Sequence, residues 1–217
     1  MLHYNTISGI LKTALNTLML SPLFNSFRLV GGTALSLQKG HRISIDIDLF
    51  SDVPYGDIDF KTIDQFLETS FPYANHLSDP NPSIGKSYTI GKSRDEAIKL
   101  DIFYTDIFIQ PPLIEDNIRM ATTAEIIAMK LDVVQRGGRK KDFWDLHLLL
   151  SDNTISSMLS LHEKRYPYTH NKRLILKNFT NFALADDDFD PLCLLGNQWE
   201  FIKEDIIEAI QKHQAIK

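Results

Sequence analysis

Val30 to Phe50 reads VGGTALSLQKGHRISIDIDLF, and this stretch decides the fold. Its second half alternates as a strand does. Successive side chains in a strand point to opposite faces, so Ile43, Ile45, Ile47 and Leu49 are expected on a buried face and Asp46 and Asp48 side by side on the other. Two adjacent carboxylates repel unless something cationic lies between them, which makes the pair half of a metal site. Mg2+ suits it, because that ion takes oxygen ligands and is usually held by one or two carboxylates together with substrate phosphates. Upstream, Gly31-Gly32 follows the apolar run Phe27 to Val30, an expected strand, and precedes Thr33 to Lys39, an expected helix. Glycine permits close backbone approach, and a helix N-terminus offers unpaired N–H groups and a partial positive charge to a phosphate. Each half alone is weak, since Gly-Gly is most often only a turn and Asp-x-Asp also occurs on solvated strands, in sugar-nucleotide transferases and in phosphatases with an aspartyl nucleophile. Their order and closeness point to phosphoryl chemistry.

Working outward, Leu2, Ile7, Ile10, Leu11, Ala14, Leu15 and Leu18 recur near helical spacing, so an amphipathic helix over residues 2–20 is expected, ended by Ser21-Pro22. Beyond the carboxylate strand comes a loop from Ser51 to Asp59, a helix from Thr62 to Phe71, and an irregular connector from Asn75 to Ser83 carrying Pro80 and Pro82. Ile84 to Gly91 and Ala97 to Tyr104 read as a hairpin. In the second of these strands Asp101 alternates with Leu100 and Ile102, which lets it share the sheet face of Asp46 and Asp48. A third carboxylate there would suit a two-metal site, in which cations bridge the attacking and leaving oxygens.

From Thr122 the pattern becomes helical. Thr122 and Glu125 form a capping-box signature, Gly137-Gly138 ends the helix they open, and Lys140 to Leu150 forms the next, with Lys141 and Asp145 as i, i+4 neighbours. Thr154 to Arg165, Asn171 to Phe182 and Gln198 to Gln214 read as three more. The expected organisation is a catalytic domain with its leading helix over 1–121 and a helical region over 122–217 that completes the cleft.

At 217 residues, 43% hydrophobic and 24% charged, the chain has an ordinary soluble composition, with no apolar run of membrane-span length and no leading signal, so no membrane partner and a cytoplasmic location are expected. Cys193 is the single cysteine, which excludes an intramolecular disulfide and a cysteine zinc cluster, and its apolar neighbours read as burial. The net charge of -5 argues against nonspecific nucleic-acid binding by the whole surface, although Arg136, Arg139, Lys140 and Lys141 cluster. Gly85-Lys86-Ser87 and Gly91-Lys92-Ser93 imitate the end of a P-loop, but the two glycines enclose five residues where that motif has four. The acidic run Asp186 to Asp190 fails as a calcium loop, with Pro191 where the invariant glycine belongs.

Three blocks resemble the AbiEii-type nucleotidyltransferases, toxins of bacterial toxin-antitoxin and phage-defence (abortive infection) systems within the DNA polymerase beta-like superfamily. They are GGTALSLQKGHRISIDIDLF with Gly31, Gly32, His41, Arg42, Ser44, Asp46 and Asp48, then KLDIF with Asp101, then AMKLDVVQRGGRKKDFWDLHLL with Lys130, Arg136, Lys141, Asp142 and Asp145. The resemblance implies an α+β fold in which a mixed sheet flanked by helices carries the metal carboxylates, with a helical C-terminal region. It implies transfer of a nucleoside monophosphate from an NTP to an acceptor hydroxyl on RNA, such as tRNA, or on protein. Asp46, Asp48 and Asp101 would hold Mg2+ or Mn2+, with Lys141 and Asp142 in the family's catalytic pattern. Gly31, Gly32, Thr33, Arg42, Ser44 and Arg136, or Arg139 in place of Arg136, would meet the nucleotide, with Lys130 offsetting charge on the pyrophosphate leaving group. An antitoxin would hold the activity in check. Two other readings stay open: an enzyme that adenylylates a small hydroxylated molecule, which a basic RNA groove would argue against, and a domain that binds nucleotide or partner without turnover, which three intact carboxylates argue against.

Overall fold

The computed structural model of the chain describes residues 1–76 and 82–215. They cluster into two units: Met1–Lys39, Ser44–Ile107 and Pro112–Ala121 in the first, and Gly40–Ile43, Phe108–Pro111 and Thr122–Lys217 in the second.

In the first unit α1 (Gly9–Leu20), β1 (Arg28–Leu29), α2 (Gly31–Lys39), β2 (Asp46–Ser51), α3 (Phe60–Ser70), β3 (Tyr73–His76), β4 (Gly85–Gly91), β5 (Ala97–Tyr104), β6 (Leu113–Glu115) and β7 (Ile118–Met120) follow in order. The strands make one sheet ordered β3-β4-β5-β2-β1-β7-β6. β2 runs parallel to β5 and β1 parallel to β7, while the other neighbours are antiparallel, so the sheet is mixed as expected. A parallel pair needs a crossover connection, and α3 with β3 and β4 supplies it between β2 and β5. One sheet face is apolar: Ile47, Leu49, Tyr88, Ile90, Leu100 and Ile102 are all buried. Leu11, Leu15 and Leu18 of α1 are fully buried, each contributing about 1.5–3 kcal/mol.

Several boundaries differ from expectation for local reasons. The leading helix starts at Gly9, because the Ser8 hydroxyl caps it by accepting from Leu11 N at 3.2 Å, and Tyr4–Thr6 forms a separate 3-10 turn. Gly31-Gly32 is no turn before a helix but the first residues of α2, with Gly31 at φ 65. β2 begins at Asp46, and Ile45, expected in the core, is 69% exposed. Ile43 is only half-buried, its N–H donating to Leu192 O at 2.9 Å. Asn75 and His76, expected in the irregular connector, belong to β3 and pair with Thr89 and Tyr88; residues 77–81 of that connector lie outside the described residues. The β6–β7 hairpin was not anticipated. Its turn, Asp116-Asn117, has φ 52 and 63, and two central residues at positive φ are the hairpin-turn signature.

The second unit is built from α4 (Thr123–Gln135), α5 (Lys140–Leu150), α6 (Ile155–Arg165), α7 (Lys172–Asn178), α8 (Ala183–Asp186) and α9 (Trp199–Ala215). Thr122 caps α4, but the expected box does not close: the Glu125 carboxylate accepts from Gln110 N at 2.7 Å and Arg165 Nη1 at 2.6 Å. Gly137 and Gly138, at φ 127 and 65, end α4. α7 stops at Asn178, short of Phe182, and Phe179 and Phe182 both pack on Phe143. Trp199 stacks on Trp144 at 7° and meets Phe182 edge-on. Cys193 is half-buried rather than a core residue. Among the described residues no helix is long and apolar enough to cross a membrane.

Candidate functional site

The first unit's carboxylates come together through strand register. In the parallel β2–β5 pair Asp46 stands opposite Lys99 and Asp48 opposite Asp101, and in the antiparallel β4–β5 pair Ser87 stands opposite Asp101. Since side chains alternate, all five occupy one face, and the buried Ile47, Leu49, Leu100 and Ile102 anchor the strands from the other. The Ser87 hydroxyl donates to Asp101 Oδ1 at 2.6 Å, and Lys99 Nζ lies 2.5 Å from Asp101 Oδ2. The hydrogen bond to Asp101, with the further charges of Asp48 and Asp46, raises the Lys99 ammonium above its ordinary pKa.

Gly31 closes the site from α2. A Cβ at this position would lie 2.9 Å from Asp48 Oδ2, and Val30 N–H donates to Asp48 O at 2.9 Å. The first turn of α2 therefore starts against the Asp48 carboxylate. Thr33 and Ser44, expected to offer hydroxyls to phosphate, are buried and engaged with each other at 2.7 Å. Thr33 Oγ1 also donates to Asp46 O at 2.5 Å. Since a hydroxyl has one proton, Ser44 must donate to Thr33; the chain of bonds pins the start of β2 to α2 and sets the aim of Asp46.

In the second unit the expected site residues form a buried charge network around Asp145. Arg42 grips this carboxylate with Nε at 2.7 Å and Nη2 at 2.8 Å, His41 Nε2 lies 2.8 Å away, and Lys130 Nζ 2.8 Å away. Lys130 Nζ also donates to Asp142 Oδ1 at 2.6 Å, while Asp142 Oδ2 accepts from Arg139 N at 3.0 Å, capping α5. Burial alone would raise the Asp145 pKa, yet the charges of Lys130 and Arg42 and the bonds from Arg42 and His41 hold it well below the carboxylate range. Lys130 responds in kind: burial works against its charge, Asp145 and Asp142 outweigh burial, and its pKa is raised. Lys130 and Arg42, expected to meet the nucleotide, are thus committed to carboxylates and almost fully buried. The basic cluster is also partnered: Arg136 with Asp132 at 2.6 Å, Arg139 with Asp188 at 3.6 Å and Lys140 with Asp190 at 2.8 Å. Lys141 is half-buried on α5.

A family model described as nucleotidyl transferase AbiEii toxin, Type IV TA system, matches residues 13–216. The chain belongs to this family. It is accordingly a nucleotidyltransferase of the AbiEii type, with the α+β fold of that group. An uncharacterized protein of Aquifex aeolicus is 27% identical, covering 89% of this chain and 90% of that one. Among solved structures, JHP933 from Helicobacter pylori superposes with a TM-score of 0.57 at 18% identity, covering 96% of this chain and 89% of that one. The nucleotidyltransferase toxin MenT4 from Mycobacterium tuberculosis superposes with a TM-score of 0.56 at 16% identity, covering 93% of this chain and 83% of that one. At such identities the two structures speak for the fold.

For an AbiEii nucleotidyltransferase the donor set on β2 and β5 is chemically apt for a divalent cation. It is all carboxylate oxygen, an ammonium already stands against Asp101, and a side chain at Gly31 would press on Asp48. Among the described residues no three Asp, Glu, His or Cys side chains form a ready metal cage; Asp101 is turned to Ser87 and Lys99 instead. Two participants escaped the sequence reading. Ser87 lay inside the rejected P-loop imitation, and Lys99 shows the same i, i+2 spacing to Asp101 that Asp46 shows to Asp48; Asp145 was picked out by the family pattern, but its place at the centre of a buried charge network was not.

Proposed function

We propose that this AbiEii nucleotidyltransferase moves a nucleoside monophosphate from an NTP to a hydroxyl on a cellular macromolecule, RNA or protein, using divalent metal. The carrying observation is the register that sets Asp48 beside Asp101 on one sheet face, with the α2 N-terminus against Asp48. Asp46, Asp48 and Asp101 would hold Mg2+ or Mn2+, which when bound supplies charge neutralisation at the triphosphate and lowers the pKa of the acceptor hydroxyl. The backbone N–H groups of Gly31 and Gly32 receive phosphate oxygens at the helix start. Thr33 and Ser44 hold Asp46 in place, and Asp101 accepts the acceptor's proton.

Lys130, Asp142, Asp145, Arg42 and His41 act as a unit that holds the base of α4 and α5 rigid. The Arg136 to Lys141 cluster gives no support to an RNA acceptor over a protein one, because its cations at 136, 139 and 140 face carboxylates. The toxin family supports a macromolecular target and an antitoxin partner that restrains the reaction.

The test is incubation with each labelled NTP, Mg2+ and total cellular RNA and protein, beside a doubly substituted Asp46→Ala, Asp48→Ala protein. Label on RNA or protein from the wild type alone supports the reading and identifies the acceptor class. Equal label from both proteins overturns the metal assignment, and label confined to small molecules overturns the macromolecular acceptor.

A further inference from the structure

Each oxygen of Asp101 has a short side-chain partner on the sheet, Ser87 at 2.6 Å and Lys99 at 2.5 Å. The two partners differ in kind. Ser87 is a neutral donor on the neighbouring strand, and a hydroxyl can turn its proton aside and remain beside a carboxylate that binds something else. Lys99 is a full positive charge on a flexible four-carbon stem, 54% exposed, and therefore free to swing into water. It projects from the position in register with Asp46 and two residues before Asp101, so its ammonium enters the same face as all three carboxylates. An ordinary exposed Lys–Asp pair is held weakly and exchanges readily.

We propose that Lys99 is an exchangeable internal counter-ion: its ammonium neutralises Asp101 in the metal-free protein and must leave that carboxylate before Asp101 can serve as a metal ligand. This rests on the metal reading of Asp46, Asp48 and Asp101 given above. Lys99 is thus a positioning residue that sets how tightly a cation is held and delays commitment of Asp101. A site that binds cation too tightly would be locked in the absence of nucleotide; an internal competitor relaxes it.

The experiment needs no nucleotide and no turnover. Mn2+ is titrated calorimetrically into the wild type, Lys99→Met, Lys99→Arg, Lys92→Met and the doubly substituted Asp46→Ala, Asp48→Ala protein. Lys99→Met is expected to bind Mn2+ about fivefold more tightly than wild type, the upper end of what an exposed charge pair removed from competition contributes. Lys99→Arg, which keeps the charge, and Lys92→Met, which removes a charge elsewhere on the hairpin, should stay within about twofold of wild type. In parallel, the wild type with 13C-methylated lysines is titrated with Mg2+ and followed by NMR, the Lys99 signal being assigned by its loss in Lys99→Arg. That signal should move to the position of a solvated lysine as the site fills. Unchanged affinity in Lys99→Met, or a Lys99 signal that stays put at saturating Mg2+, overturns the counter-ion role while leaving the metal site standing. Binding in the doubly substituted protein equal to wild type, or none in wild type and Lys99→Met alike, overturns the metal reading and the counter-ion role with it.

Discussion

At the scale of single residues the site depends on atoms too close to tolerate change. Gly31 combines φ 65 with a hypothetical Cβ 2.9 Å from Asp48 Oδ2. Gly31→Ala therefore meets backbone strain and a displaced carboxylate together, and is expected to cost about 1–2 kcal/mol of stability and to lower nucleotide transfer more than the loss of folded protein explains. Chemical denaturation and transfer assays at matched folded fraction separate the two. Thr33→Val tests the hydrogen-bonded pin on β2. It keeps the shape but leaves the buried Ser44 hydroxyl without its acceptor and Asp46 O without its donor, so a loss of about 1–3 kcal/mol is expected. A neutral effect on stability would show that the pin is dispensable. The carboxylates were legible in the sequence because alternation dictates which side chains share a face. That Thr33 and Ser44 meet each other was not, since a hydroxyl carries no pattern that names its partner.

At the scale of elements, patterns that depend on neighbours in sequence translated well and those that depend on distant partners did not. The β4–β5 hairpin and α5 fall at or within a residue of where alternation and helical spacing put them, Gly85–Gly91, Ala97–Tyr104 and Lys140–Leu150. Ile45 shows the opposite. It continues the apolar alternation yet stands exposed, because β2 gains its pairing with β5 only from Asp46 onward. Glu125 shows a second failure: its spacing from Thr122 suits a capping box, but Arg165 on α6 takes its carboxylate. That pair is fully buried at 2.6 Å, with the guanidinium over the Phe108 ring at 4.7 Å. Removing one partner would leave a buried charge uncompensated, so Glu125→Ala is expected to cost about 3–5 kcal/mol, and Glu125→Ala with Arg165→Met together less than the sum of the two single losses. A double-mutant cycle by urea denaturation measures this, and additive losses would sink the coupling.

For the whole molecule, the Asp145 network predicts how stability responds to pH. Folding holds the Asp145 pKa well below the ordinary carboxylate value despite burial, because Lys130, Arg42 and His41 all face it. A depressed folded pKa stabilises the folded state at pH above the unfolded value of about 4, and that stability is lost as pH falls through the folded value. Lys130, whose pKa is raised, contributes below its unfolded value of about 10.4 and loses that contribution as pH climbs past its folded one. The network therefore favours a stability plateau between these limits and a steep acid limb. Asp145→Asn should lower stability at neutral pH by about 3–5 kcal/mol, since it leaves Lys130 and Arg42 short of a counter-charge, and should flatten the acid limb because the proton-binding group is gone. Urea midpoints at intervals from pH 3 to 8 test both. If wild type and Asp145→Asn lose stability in parallel below pH 5, acid sensitivity arises from other carboxylates and the network does not govern it. A flattened limb in Asp145→Asn, retained in Lys99→Met, would separate the charge network that holds the helices from the exchangeable cation beside Asp101.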